Sequence, residues 1–221
     1  LYHSTLFVKL QISGNYNIKD QNIRAKINIL EKNTSEYYKT EKFVLNFRAV
    51  GEINIWGNIH DIKALGKINA SNIYYEGYKI PDVYLKFTYN RGDLYSLNST
   101  GVLNFPEIVL LDQNRQSIMQ ANAYLDMINK KTVIKIDEQK VDFNKFDYLY
   151  PERELSGEIK IDFFLQSDLE TAEYRANIVS EKIKIGNIII QDVNNKFRGN
   201  EKELYVDNIS MNYNGNPLNL Y

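Results

Sequence analysis

The chain contains no cysteine, which excludes disulfide bonds, thiolate metal sites and cysteine nucleophiles together. Histidine is also scarce, because only His3 and His60 are present, and neither stands at a spacing typical of zinc ligands. There is no Gly-x-Ser-x-Gly motif, no phosphate-binding glycine-rich loop and no dinucleotide-binding fingerprint. The sequence therefore predicts a protein that is not an enzyme and that needs no metal or cofactor.

Long apolar runs and an excess of one charge are missing as well. The longest apolar runs, such as 108–111 and 188–190, are far shorter than the roughly 18 residues of a membrane-spanning helix. Lys and Arg total 27 against 28 Asp and Glu, so no basic field attracts nucleic-acid phosphates, and we expect no nucleic-acid partner. The chain opens at Leu1 without a signal sequence, and we expect both ends to be boundaries within a longer protein.

Period-two alternation of apolar and polar residues is what the sequence has in abundance. It indicates half-buried β-strands, and the 17 Tyr and 10 Phe favour a folded chain. The pattern predicts about sixteen short strands at the spacing of all-β proteins. The clearest apolar rows are 6/8/10/12, 23/25/27/29, 83/85/87, 121/123/125/127 and 159/161/163/165.

Helical signals are weak by comparison. The best segment is 143–150, where Asn144 or Asp147 could cap one short turn before Pro151. The fold class predicted is therefore all-β, with one helical turn near 143–150.

An internal repeat is the most informative feature of the sequence. Gly-Glu-Ile-Asn-Ile at 51–55 returns as Gly-Glu-Ile-Lys-Ile at 157–161, and the block 80–87 returns at 190–197 with Ile, Asp, Val, Lys and Phe in register. We interpret the units 51–105 and 157–211 as a duplication. Repeated units bury their apolar faces against neighbours, which predicts an elongated array. Only 4 Pro and 11 Gly are present and no linker is visible, so we treat 1–221 as one continuous segment.

Several short motifs favour ordinary structural roles over chemistry. Glu52 and Glu158 alternate with apolar residues, so we expect them on a solvated outer face and not as a catalytic pair. Arg91, Gly92 and Asp93 match an integrin-binding tripeptide, but a hairpin turn with glycine at positive φ explains them better. His60 is interpreted as part of a solvated turn.

At the repeated Gly-Glu-Ile blocks and the strands that follow them, the chain resembles the AsmA-like superfamily, especially the carboxyl-terminal region of TamB-type proteins. The resemblance spans roughly residues 51 to 221 and is carried by an ordered set of degenerate strand motifs. In the second unit Phe163-Phe164 stands in place of the turn predicted at Trp56-Gly57, so the local geometry is expected to differ there. The motifs are Gly51-Glu52-Ile53, Gly57-Asn58-Ile59, 66–70, 72–75, 83–87 and Gly92-Asp93-Leu94, followed by 142–146 and 155–159.

The resemblance implies a curved, repeating β-groove, or β-taco, with an apolar concave face. It implies a segment of an envelope protein that spans the periplasm of a diderm bacterium, shields phospholipid and conducts it between the inner and outer membranes. The parent protein is expected to be anchored in the inner membrane, and its membrane contacts would lie outside this chain. Lipid acyl chains are the expected partner, together with an outer-membrane β-barrel assembly protein.

The rows that would line such a lipid groove can be named. They are Ile53 and Ile55, then Val83, Leu85 and Phe87, then Ile159, Ile161 and Phe163. Alternation alone leaves an open groove and a closed β-sandwich equally well supported.

Two other functions remain open. One is a scaffold that assists outer-membrane protein assembly through exposed sheet edges. The other is an extracellular adhesin or carbohydrate-binding domain that uses Trp56 and the tyrosine pairs 37–38 and 74–75.

Overall fold

The fold is that of a computed structural model, which describes residues 9–30, 36–39, 44–75, 78–93, 100–149, 152–168 and 171–220. These residues form fifteen strands and one 3₁₀ helix, Phe143–Leu149. The strands are β1 (Lys9–Asn17), β2 (Asn22–Leu30), β3 (Glu36–Lys39), β4 (Val44–Asn58), β5 (Asp61–Tyr75), β6 (Tyr78–Lys79), β7 (Asp82–Gly92), β8 (Val102–Leu111), β9 (Ser117–Asp126), β10 (Lys131–Asp142), β11 (Leu155–Ser167), β12 (Ala172–Ile185), β13 (Ile188–Asn200), β14 (Leu204–Tyr213) and β15 (Asn216–Leu220).

All strands belong to one antiparallel meander. The order of hydrogen-bonded neighbours is β1-β2-β4-β5-β7-β8-β9-β10-β11-β12-β13-β14-β15, and the short strands β3 and β6 pair beside this path with β4 and β5. The strands on this path follow one another in chain order. The sheet is curved and its outermost strands do not pair with each other, so it stays open. The predicted elongated all-β class is confirmed.

The sheet has no second layer in the part of the chain that the structure describes. A closed sandwich would remove large side chains from water, yet no large side chain of these residues is completely buried. The apolar residues that are buried are mostly medium-sized or small, and they are Ile59, Ile62, Ala64, Ile73, Val109, Ile118, Val141, Ile183 and Val193. Of the two alternatives left by the sequence, an open groove and a closed β-sandwich, the molecule therefore adopts the open sheet.

Tight turns at the strand ends follow local sequence rules. Asn214 and Gly215 have φ of 46° and 83° and join β14 to β15. Two positive φ angles define the type I′ turn that matches the twist of a hairpin, and Asn-Gly is its preferred sequence. Ile59 and His60 form the turn between β4 and β5, as expected for His60.

Two glycine assignments from the sequence are wrong in detail. The tripeptide Arg91-Gly92-Asp93 does not turn on its glycine, because the positive φ of 58° belongs to Arg91 and Gly92 ends β7. Gly57 has a φ of 120° but lies inside β4, one residue before that strand ends. β4 and β5 contain 15 residues each, more than the short strands expected, and both continue through glycines.

The 3₁₀ helix confirms the predicted helical turn, with a different cap. Asp142 and not Asn144 supplies the capping carboxylate, which accepts the Asn144 backbone N–H at 3.0 Å. Asp147 instead accepts the backbone N–H of Leu155 at 2.9 Å, which fixes the chain where β11 begins. Lys145 donates to the Ser117 carbonyl oxygen at 2.8 Å, so the helix is tied to β9.

The repeated blocks occupy corresponding places in the meander. Residues 51–55 lie in β4 and 157–161 in β11, while 82–87 lie in β7 and 190–197 in β13. One strand of the meander separates the two blocks in each unit, β5 in the first and β12 in the second. The corresponding positions of the blocks agree with a duplication within one continuous segment, and both remain predictions.

An apolar trough as the candidate functional site

Cross-strand register places the apolar residues of the first strands on one face. Residues directly opposite each other in an antiparallel pair share a face. Ile27 lies opposite Ile12 and Ile53, and Ile53 lies opposite Gly66, which in turn lies opposite Phe87. Five neighbouring strands therefore contribute apolar residues or glycine to the same face.

The same face continues through the middle of the sheet. Phe87 of β7 and Phe105 of β8 have ring centroids 6.0 Å apart. Phe105 lies opposite Ala123, which lies opposite Ile134, and Ile134 lies opposite Leu165. The apolar row thus crosses from the first unit into the second without a break.

The second unit completes the row. Ile136 lies opposite Phe163, Phe163 opposite Ala176, Ala176 opposite Phe197, and Phe197 opposite Val206. We call this face the apolar trough. It is defined by Ile12, Ile27, Ile53, Ile55, Gly66, Val83, Leu85, Phe87, Phe105, Ala123, Ile134, Ile136, Ile159, Ile161, Phe163, Leu165, Ala176, Phe197 and Val206.

The structure places all eight candidate groove residues on this face. All eight residues are half-buried. The β4 and β7 rows are separated by one strand of the meander, and the β7 and β11 rows by three. These eight residues therefore form three parts of one strip and not one compact pocket.

Other trough residues were missed because the candidates were chosen from the repeated blocks. Phe105 is the last residue of the first unit, and Ile134 and Ile136 lie between the two units, although each belongs to a period-two strand. Gly66 carries no apolar side chain and is visible as a trough position only through its register with Ile53 and Phe87. Scoring alternation along every strand would have found the first three.

Gln139 is a polar residue in the trough row, and its side chain is satisfied locally. Gln139 lies opposite Ile161, just after a register shift in β10. Its side chain accepts the backbone N–H of Gln120 at 2.8 Å and donates to the Gln120 carbonyl oxygen at 2.6 Å. It thereby bridges β9 and β10 beyond their last paired residues, Asn122 and Lys135. The amide continues the sheet where its backbone ladder is interrupted.

The opposite face carries the charges. Glu52 binds Lys26 on the neighbouring strand at 2.6 Å and accepts from the Asn54 amide at 2.8 Å. Lys26 first, and then Asn54, lowers the pKa of the Glu52 carboxyl from its usual value. Glu158, at the equivalent repeat position, binds Lys140 at 2.7 Å and raises the pKa of that lysine. Both glutamates are on the outer face, as predicted, where ion pairs keep the sheet wetted.

The aromatic residues considered for sugar binding do not come together. Trp56 and Tyr74 are 40% and 37% exposed, but they lie near opposite ends of the β4–β5 pair. Trp56 is opposite Lys63, whereas Tyr74 is opposite Asn46, eleven positions further along β5. The side chains of Tyr37 and Tyr38 lie outside the described residues. No stacking platform is formed from Trp56 and Tyr74.

His60 is exposed in its turn and places Nδ1 3.0 Å from an Asp93 carboxylate oxygen. Within the described ranges, no group of three or more His, Cys, Asp or Glu side chains is arranged to hold a metal ion. In the same ranges, no helix is both long and apolar enough to cross a bilayer.

The length of the trough can be estimated from the meander. The twelve strands that carry the trough, at roughly 4.8 Å spacing, give a strip on the order of 50 Å measured across the sheet. Comparisons with protein-family models, curated proteins and solved structures give no match to this chain. The likeness to the AsmA-like superfamily therefore rests on the sequence motifs alone and remains a prediction.

Proposed function

We propose that this chain shields lipid acyl chains in its apolar trough and forms a segment of a lipid-conducting bridge. The observation that supports the proposal is the sorting of side chains by face. Apolar residues or glycine occupy one face of the twelve path strands from β1 to β14, while the Lys26–Glu52 and Lys140–Glu158 ion pairs lie on the other. A single-layer sheet that keeps so long an apolar strip uncovered needs a partner for it.

An acyl chain suits this strip in shape and in energy. The strip is narrow along the strands and long across them, as a linear hydrocarbon requires. Each methylene moved from water to an apolar surface gains about 0.8 kcal/mol, so a membrane-lipid chain gains on the order of 10 kcal/mol. A continuous trough spreads this gain over its whole length, which lowers the barrier to movement between neighbouring positions.

The setting follows from the same proposal. A conduit for phospholipid belongs between two membranes, so we place the chain in the periplasm of a diderm bacterium, within a parent protein anchored in the inner membrane. Phospholipid is the proposed cargo, and an outer-membrane β-barrel assembly protein is the proposed protein partner. The resemblance to TamB-type proteins supports both.

One pair of substitutions tests the proposal. Leu85→Asp places a charge in the trough, whereas Tyr84→Asp places the same charge one residue away on the outer face of β7. Each purified variant is mixed with vesicles that contain fluorescent phosphatidylethanolamine, and lipid carried by the protein is measured after the vesicles are removed. We expect Leu85→Asp to lose bound lipid and Tyr84→Asp to keep it. Equal binding by both variants would contradict the proposal.

A second candidate, guidance of β-rich client chains, is supported by the free edge of β1. This strand pairs only with β2 among the described strands, and all nine of its residues are exposed. It contains no proline, whereas the opposite edge strand β15 contains Pro217, which has no N–H to offer a client strand. Client capture that survives Leu85→Asp but is lost with Ile12→Pro in β1 would favour this function.

A further inference from the structure

Aromatic rings on the trough face lie over glycines of neighbouring strands. A Cβ atom added to Gly66 would stand 2.2 Å from two ring carbons of Phe87, so this ring occupies the space that a side chain at 66 would need. Tyr89 also covers two glycines, Gly92 at the end of its own strand and Gly101 just before β8, and its hydroxyl donates to the Thr100 carbonyl oxygen at 2.9 Å. The arrangement therefore recurs where β7 ends and β8 begins.

The second unit repeats this arrangement. Tyr174 of β12 lies opposite Gly199 of β13, and a Cβ at Gly199 would stand 2.6 Å from the Tyr174 hydroxyl oxygen. A ring that covers a glycine on the next strand rests on the backbone and does not stand upright from the sheet. Glycine opposite an aromatic residue thus lowers the surface of the trough at that point.

Phe87 has the most consequential position among these rings. It lies across Gly66 on one side, and its ring centroid is 6.0 Å from that of Phe105 on the other. Gly66 itself is buried although it has no side chain of its own, because the Phe87 ring covers it. The backbone of Gly66 does not have a positive φ, so its conformation does not require glycine. The space taken by the ring is what excludes a side chain there.

We propose that Gly66 and Phe87 together set the depth of the trough where lipid crosses from β5 to β8. This inference rests on the proposed lipid function. With glycine at 66 the ring lies down and leaves room above it for an acyl chain. A methyl group at 66 displaces the ring upward into the path of the lipid, so Gly66→Ala narrows the trough although it adds only one carbon.

The test combines three variants in the full chain. Gly66→Ala lifts the ring, Phe87→Leu removes it, and the double variant adds the methyl group without the ring. Each protein carries a photoreactive residue at Leu85, beside the ring, or at Ile161, four strands further along the meander. The proteins are incubated with phosphatidylethanolamine vesicles and irradiated, and lipid adducts are counted by mass spectrometry.

We expect Gly66→Ala to lower labelling at Leu85 by roughly fourfold, the equivalent of one lost methylene contact. Labelling at Ile161 should be unchanged, and the double variant and Phe87→Leu should label Leu85 as strongly as the unaltered chain. If Gly66→Ala does not fold, Phe87→Trp replaces it, because a larger ring over glycine raises the trough surface without a change at 66.

The possible outcomes distinguish the role of Gly66 and Phe87 from the proposed lipid function. Unchanged labelling at Leu85 in Gly66→Ala, or a double variant as impaired as the single one, overturns the role of the ring and leaves the lipid function standing. An unaltered chain that labels at neither position overturns the lipid function, and this inference with it.

Discussion

Ile136 of β10 lies directly opposite Phe163 of β11, so the last strand before the second repeated block and the first strand within it share one apolar face. The connection between them is the longest in the second half of the chain and includes the 3₁₀ helix. That helix is tied to the backbone of β9 through Lys145. The meander therefore passes from one unit to the next without turning its apolar face over.

Truncation of a trough side chain should destabilise the sheet less than truncation in a closed core. Phe163→Ala removes a half-buried ring, so we expect a loss of about 1–3 kcal/mol in the free energy of unfolding, below the 3–5 kcal/mol typical of a fully buried phenylalanine. Lys160→Ala, on the outer face of the same strand, should change it by less than about 0.5 kcal/mol. Urea unfolding measures both, and similar losses would show that the two faces are equivalent.

Gly157 should tolerate substitution poorly. Its φ is 108°, and an added Cβ would stand 2.1 Å from the Lys182 carbonyl oxygen, so both the backbone conformation and the neighbouring strand exclude a side chain. We expect Gly157→Ala to lower the free energy of unfolding by about 2 kcal/mol or more. Gly186, with a φ of 58° and open space around it, is the matched control. Gly186→Asn should have little effect because asparagine adopts this left-handed conformation readily.

Asp126 should make stability depend on acidity. This residue is 7% exposed, and it accepts the backbone N–H of Asn129 at 2.9 Å, its side-chain amide at 2.8 Å and the Ile128 N–H at 3.0 Å. These bonds, led by the Asn129 backbone N–H, lower the pKa of Asp126 below its usual 3.8. A lowered pKa in the folded state stabilises the fold above pH 3.8, and this contribution is lost as the pH falls through the folded-state pKa.

The matching variant is Asp126→Asn, which keeps the shape of the side chain and removes its charge. We expect it to be less stable than the unaltered chain near neutral pH and to lose less stability on acidification. Thermal unfolding, followed by circular dichroism from neutral pH down to acidic pH, measures the difference in stability between the two proteins. Parallel pH profiles for the two proteins would show that the Asp126 charge does not stabilise the turn.

The face on which each strand residue lies was predictable from the sequence, because successive side chains of a strand point to alternate faces of the sheet. Ile53 and Glu52 are neighbours in the chain, so they must lie on opposite faces once the segment is extended, and the ion pair of Glu52 with Lys26 confirms which face is wetted. The helical turn was predictable because 143–149 breaks the alternation before a proline. These features depend on residues close together in the chain.

Features that depend on distant residues could not be predicted. Whether the apolar rows close on each other or stay open depends on the curvature of the whole sheet, which no local pattern records. Register shifts are equally hidden: Asp192 takes a φ of 53° inside β13, and a shift separates Gln191 from Asn194 in the pairing with β14. The cover of Phe87 over Gly66 is visible only once β5 and β7 are placed side by side.

The most direct test of the trough is a photo-crosslinking scan along β7 with phosphatidylethanolamine vesicles. A photoreactive residue is placed in turn at each position from Val83 to Thr88, and lipid adducts are measured in the full chain. The trough predicts strong labelling at Val83, Leu85 and Phe87 and weak labelling at Tyr84, Lys86 and Thr88. Uniform labelling of all six positions, or labelling of none, would contradict the claim that lipid occupies one face of this sheet.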